Sequence, residues 1–149
     1  MNWNSLEDVI RFAIRKEADA AAFYRMAAER SNPGVQKSFE ELAQMEDGHK
    51  KRLEGFDPNK IEKMELKETK GLGIAEMMEE VPFSSDMSYA DLLKMAIKNE
   101  EKSEQLYTTM TKSVTHPQLK KLLMILAQEE TSHKKRLEKI YDDEVLEEF

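Results

Sequence analysis

Two Glu-x-x-His segments, Glu46-Asp47-Gly48-His49 and Glu130-Thr131-Ser132-His133, each set a carboxylate and an imidazole three residues apart. On a helix that spacing puts both donors on one face about a turn apart, aimed at the same place. Carboxylate oxygen with neutral imidazole nitrogen is a ligand pair for a divalent metal ion. In a Glu-rich chain one such spacing arises readily by chance. Here it recurs inside a longer repeat. Leu42-Ala43-Gln44-Met45-Glu46-Asp47-Gly48-His49-Lys50-Lys51-Arg52-Leu53-Glu54 returns as Leu126-Ala127-Gln128-Glu129-Glu130-Thr131-Ser132-His133-Lys134-Lys135-Arg136-Leu137-Glu138.

Four helices are predicted to position these residues. The first begins near Ser5, with Asp8 three residues on as a short-armed capping box, and its inward stripe runs Leu6, Val9/Ile10, Ala13, Glu17, Ala20/Ala21, Tyr24, Ala27. Ser31-Asn32-Pro33-Gly34 is a turn by composition. The second stripe is Val35, Phe39, Leu42, Glu46, His49, Leu53, Phe56. A connection this short makes the first two helices antiparallel neighbours. From Gly55 to about Ser88 the period breaks, leaving only Ile74 to Glu80 as a short helix. A connection of that length suits a return along a whole bundle. The third helix caps at Ser88 and shows Tyr89, Leu92/Leu93, Ala96, Glu100, Ser103, Tyr107, Met110. After His116-Pro117 the fourth shows Leu119, Leu123, Leu126, Glu130, His133, Leu137, Ile140, fraying into an acidic tail from Asp142.

The halves align throughout. Ala13-Ile14-Arg15-Lys16-Glu17 matches Ala96-Ile97-Lys98-Asn99-Glu100, Tyr24 matches Tyr107, and Pro33 matches Pro117. The fold class is therefore all-α, a four-helix bundle made from a duplicated helical hairpin. Repeat 1 spans about 5–56, a crossover about 57–87, and repeat 2 about 88–141, within one domain of 149 residues.

Glu17, Glu46, Glu100 and Glu130 each fall in the middle of the inward stripe of a different helix. Four carboxylates meeting inside a bundle cannot all stay ionised, because desolvation and like charge both raise their pKa values. No Lys or Arg lies on the stripes to neutralise them. Two divalent cations would, with His49 and His133 completing the coordination as neutral imidazoles. Oxygen-rich ligation favours iron or manganese over copper, and the lack of thiolate disfavours a structural zinc site. Carboxylates bridging two ions hold them about 3.5–4 Å apart, the spacing of two-metal chemistry. With iron there, O2 or H2O2 is the expected substrate. His116, with Ser113 three residues before it, reads as a surface residue outside this set.

Composition narrows the alternatives. A net charge of −7 argues against nucleic acid as partner. The absence of cysteine removes disulfides, Fe–S clusters and thiol peroxidase chemistry. The first residues lack the basic and apolar regions of a signal peptide, and no apolar run approaches the roughly 20 residues that cross a bilayer. The expectation is a soluble cytoplasmic protein. Lys50-Lys51-Arg52 and Lys134-Lys135-Arg136 read as solvated faces that offset the acidic site, or as a dock for an acidic electron donor.

Glu on helix one, Glu-x-x-His on helix two, Glu on helix three and Glu-x-x-His on helix four resembles the ferritin-like di-iron carboxylate proteins, and the rubrerythrin branch among them. The resemblance covers Ser5 to Ile140. It implies two iron ions, with manganese or zinc as the other ions such ligands accept. Glu46 and Glu130 would bridge both ions, Glu17 and His49 would complete one, and Glu100 and His133 the other. Tyr24 and Tyr107 would donate hydrogen bonds to carboxylate ligands. It implies peroxide reduction, with ferroxidase or iron handling as the alternative and a non-catalytic dimetal bundle as a third reading. Rubrerythrins carry a rubredoxin domain that this cysteine-free sequence lacks, so turnover would need an external donor such as a rubredoxin. Bundles of the family often pair, which implies a homodimer. The family's extra Glu, three residues after the helix-three ligand, is replaced by Ser103.

Overall fold

The computed structural model describes residues 6–56 and 87–145, and four helices hold nearly all of them. They are α1 (Leu6–Arg30), α2 (Pro33–Glu54), α3 (Tyr89–Ser113) and α4 (Pro117–Glu144). The expected cap at Ser5, the crossover with its short helix at Ile74 to Glu80, and the last four residues lie outside the described residues.

Local chemistry explains where the helices start. Asn32 stays extended, and its side chain accepts a hydrogen bond from Val35 N at 3.2 Å, with Pro33 in the first turn where its missing N–H costs nothing. Ser88 accepts from Asp91 N at 3.1 Å, so α3 caps where the sequence predicts. His116 is no idle surface residue. Its Nδ1 accepts from Leu119 N at 3.2 Å and caps α4 ahead of Pro117. The fourth helix also runs past the predicted fraying point to Glu144. Asn32 Nδ2 donates to Glu144 at 3.0 Å, while Tyr141 and Val145 pack on the core, so tertiary contact outweighs the repulsion among the tail's acids.

Packing follows the stripes. α1 lies along α2 and α3 along α4, and the hairpins meet through α2 against α4 and α1 against α3. The apolar core divides into two clusters. One joins Val9, Ile10 and Ala13 of α1 to Leu53 of α2, Leu106 and Met110 of α3, and Leu119, Leu123 and Leu126 of α4. The other joins Tyr24 and Ala27 to Phe39 and Leu42, Leu93 and Ala96, and Leu137. The start of α1 thus sits level with the end of α3, and the end of α2 with the start of α4. Both contacts between hairpins are antiparallel, which makes α2 and α3 parallel and puts Glu54 and Tyr89 at opposite ends of the bundle. Each fully buried Leu or Phe in these clusters contributes roughly 1.5–3 kcal/mol. The level between them is where the ionisable residues fall.

Replacing Asn32 by Ala removes a capping acceptor and the donor to Glu144 and should lower stability by about 1 kcal/mol or more, whereas Asn32→Asp keeps the cap but sets a second carboxylate against Glu144 and should still lose stability. Urea unfolding of both variants with chelator present measures this.

Candidate metal centre

Glu17 of α1, Glu46 and His49 of α2, Glu100 of α3, and Glu130 and His133 of α4 converge between the two apolar clusters, none of them more than 3% exposed. Their donor atoms form two groups. Glu17, Glu46, His49 and Glu130 supply one, Glu46, Glu100, Glu130 and His133 the other, with the atoms in each within 4.8 Å of one another. Glu46 and Glu130 belong to both. The two imidazole rings lie face to face, with centroids 5.6 Å apart and planes 6° from parallel, as a near-twofold relation between hairpins requires. Among the described residues, no helix is long and apolar enough to cross a membrane.

In each ring Nδ1 faces the carboxylates. His49 Nδ1 lies 2.8 Å from Glu130 Oε1, 3.4 Å from Glu17 Oε2 and 3.6 Å from Glu46 Oε2. His133 Nδ1 lies 2.9 Å from Glu46 Oε1 and 3.8 Å from Glu100 Oε1. Proximity does not satisfy these atoms. Glu17 Oε2, His49 Nδ1, Glu100 Oε2, Glu130 Oε1 and His133 Nε2 are all buried without a hydrogen-bond partner. Orphaned buried polar atoms are rare because each costs roughly 1–3 kcal/mol. Four of these five are oxygens and an Nδ1 that point into the cluster, which is what a pair of divalent cations would take up. The donor set fits such a pair.

Without cations the cluster holds protons instead. Burial, then the neighbouring carboxylates, pushes Glu46 and Glu130 well above the ordinary carboxylate range. Burial would also raise Glu100, but hydrogen bonds from Glu130, His133 and Tyr24 outweigh it and hold that carboxylate below its usual value. For His49, burial disfavours the charge, yet Glu130 and Glu17 overcome it and push the imidazole up to about 11. Half-buried Lys16 flanks the site, its ammonium lowered by burial despite Glu130.

Two tyrosines brace the site crosswise. Tyr24 of α1 donates to Glu100 of α3, and Tyr107 of α3 donates to Glu17 of α1. Both phenols are raised well above their ordinary pKa by burial and by the carboxylates, so they stay neutral donors. Phe39 stacks on Tyr24 with ring centroids 6.2 Å apart. Each bond holds a carboxylate at a fixed rotamer and ties one hairpin to the other.

A further functional neighbour, Glu129, escaped sequence reasoning. Its Oε2 pairs with His49 Nε2, on the ring edge facing away from the cluster, and its Oε1 lies 3.5 Å from Arg52 Nη1. The visible signal was that Glu129 stands where the first repeat has Met45. Ser103 is buried in the α3 stripe. Glu104 is half-buried on an outer groove between α3 and α4, accepts a bond from Thr108 at 3.3 Å, and takes no part in either donor group.

The bundle and its carboxylate–histidine layer define the class: a ferritin-like fold of the diiron-carboxylate type. A Thermotoga maritima crystal structure assigned to the ferritin-like diiron-carboxylate proteins superposes with a TM-score of 0.70 over 92% of this chain and 94% of that one, at 21% identity. The sequence profile named Rubrerythrin matches residues 4–80 and 91–148, and the chain belongs to that family. No curated protein sequence gives a significant match.

Groups whose folded pKa is raised bind protons more tightly folded than unfolded, so they lend stability at low pH that is lost as pH rises. For Glu46 and Glu130 the loss begins above their ordinary value of 4.5, and for His49 it runs from 6.5 to about 11. The metal-free protein should therefore unfold at progressively lower temperature from about pH 5 to about pH 8. Loading Mn(II) must release those protons and reverse the trend, measurable by calorimetry in buffers of different ionisation enthalpy. Separately, Tyr24→Phe and Tyr107→Phe each strand a buried carboxylate oxygen and should cost about 1.5–3 kcal/mol in thermal or urea unfolding.

Proposed function

We propose that the chain is a non-haem di-iron oxidoreductase that reduces hydrogen peroxide with electrons from a separate donor protein. The observation carrying this reading is the pair of buried donor groups that share Glu46 and Glu130. Glu46 and Glu130 would be shared by the two ions, Glu17 and His49 would hold one of them, and Glu100 and His133 the other. Iron held there would supply two electrons at one place. Reduction of one hydrogen peroxide to two waters would consume that electron pair and two protons.

The protein's part is position and environment. The two apolar clusters exclude water from either end of the site, which strengthens each charge interaction within it. Tyr24 and Tyr107 orient Glu100 and Glu17, and Glu129 orients His49. None of the 149 residues is a cysteine, so they hold no Cys-ligated iron, and the electrons come from a donor of the rubredoxin kind outside them.

Ser103 supports a second reading. With Ser in place of an extra Glu, the donor set is a symmetric four-Glu, two-His arrangement, nearer to ferroxidase centres that use O2.

Anaerobic H2O2 added to the Fe(II)-loaded protein should change its optical bands within seconds and faster than air-saturated buffer does. A faster reaction with O2 would select the ferroxidase reading, and no reaction with either would leave a non-catalytic dimetal bundle. Glu46→Gln combined with Glu130→Gln should abolish pairwise metal binding while the helical fold persists, by metal analysis and circular dichroism.

A further inference from the structure

The centre is built by a repeat, yet its two halves are not supported equally. His49 Nε2 pairs with Glu129 Oε2, and Arg52 holds the far oxygen of that carboxylate at 3.5 Å. His133 Nε2 is also buried, and among the described residues it has no hydrogen-bond partner. The repeat explains the difference. The α2 position equivalent to Glu129 of α4 is Met45, which is 40% exposed, and a thioether is a weak acceptor.

We propose that Glu129 is a positioning residue that makes the His49 half of the centre the tighter metal site, so that the two ions load in sequence. The inference rests on the dimetal reading above. A carboxylate accepting from Nε2–H fixes the tautomer with the Nδ1 lone pair facing Glu17 and Glu130. It also holds the ring plane and adds negative charge behind the ligand. Loss of such a partner typically costs 10–100-fold in metal affinity. Among the described residues His133 has no partner to hold its proton on Nε2, so its half binds more weakly although its first ligands are the same in kind. Sequential loading gives the protein a one-metal state, and with it two irons in distinct environments.

The test is an anaerobic Co(II) titration of the metal-free protein, followed by calorimetry and visible absorption, with proton NMR of the loaded form. Two steps separated by at least tenfold are expected, with one slowly exchanging, paramagnetically shifted ring N–H resonance from His49. In Glu129→Leu the first step should weaken by about 10–100-fold and that resonance should vanish. Glu129→Gln keeps an acceptor and should fall between. Glu129 is 31% exposed, so these changes leave the core packing intact, which circular dichroism checks. Met45→Glu should strengthen the second step and add a second slow N–H resonance. Two ions binding equally, unaffected by Glu129→Leu or Met45→Glu, would overturn the inequality and leave the dimetal reading standing. No Co(II) bound at all would overturn the dimetal reading itself.

Discussion

Four carboxylates closed off from water between two apolar clusters are the constraint on which the rest of the structure turns. Their mutual repulsion and desolvation work against folding, and each must be met by a proton, a hydrogen bond or a cation. The metal-free chain meets it with protons on Glu46, Glu130 and His49 and with phenol bonds to Glu17 and Glu100. Several donor atoms still remain unsatisfied. The apolar clusters on either side bear the cost of that layer. They hold it at the centre of the bundle, where bound cations would relieve it.

The duplicated hairpin is what makes such a layer geometrically cheap. One hairpin delivers a Glu from one helix and a Glu-x-x-His from the next. A second copy, packed antiparallel across α1–α3 and α2–α4, returns the same donors from the opposite side. Stacked imidazoles and crossed Tyr–Glu bonds follow from that near-symmetry. The crossed bonds tie each hairpin's ligand to the other hairpin's tyrosine, so the site and the contact between the halves form or fail together.

Departures from symmetry are where function can be tuned. Ser103 leaves the donor set balanced, whereas Glu129 opposite Met45 unbalances what lies behind it. The first lies in the donor layer itself, the second on the outer edge of one imidazole.

The helices, their stripes, the duplication and the six clustered residues were all legible before any coordinates, because the 3.6-residue period assigns a face to each position and an ionisable group in an apolar stripe stands out against it. Tyr24 and Tyr107 stood out for the same reason, but which carboxylate each would meet did not. Period alone says that a side chain points inward, not which partner helix it reaches. His116 as a cap and α4 persisting to Glu144 were not read from the stripes, and Glu129 showed only as a break in the repeat, since each depends on contacts between residues or segments whose alignment a stripe does not encode. The sequence by itself determined that six donors share the interior of one bundle. Only the tertiary structure decided how they pair, which atoms remain unsatisfied and which histidine has support, because those depend on the offset and rotation of one helix against another, set by side-chain packing summed over the whole core.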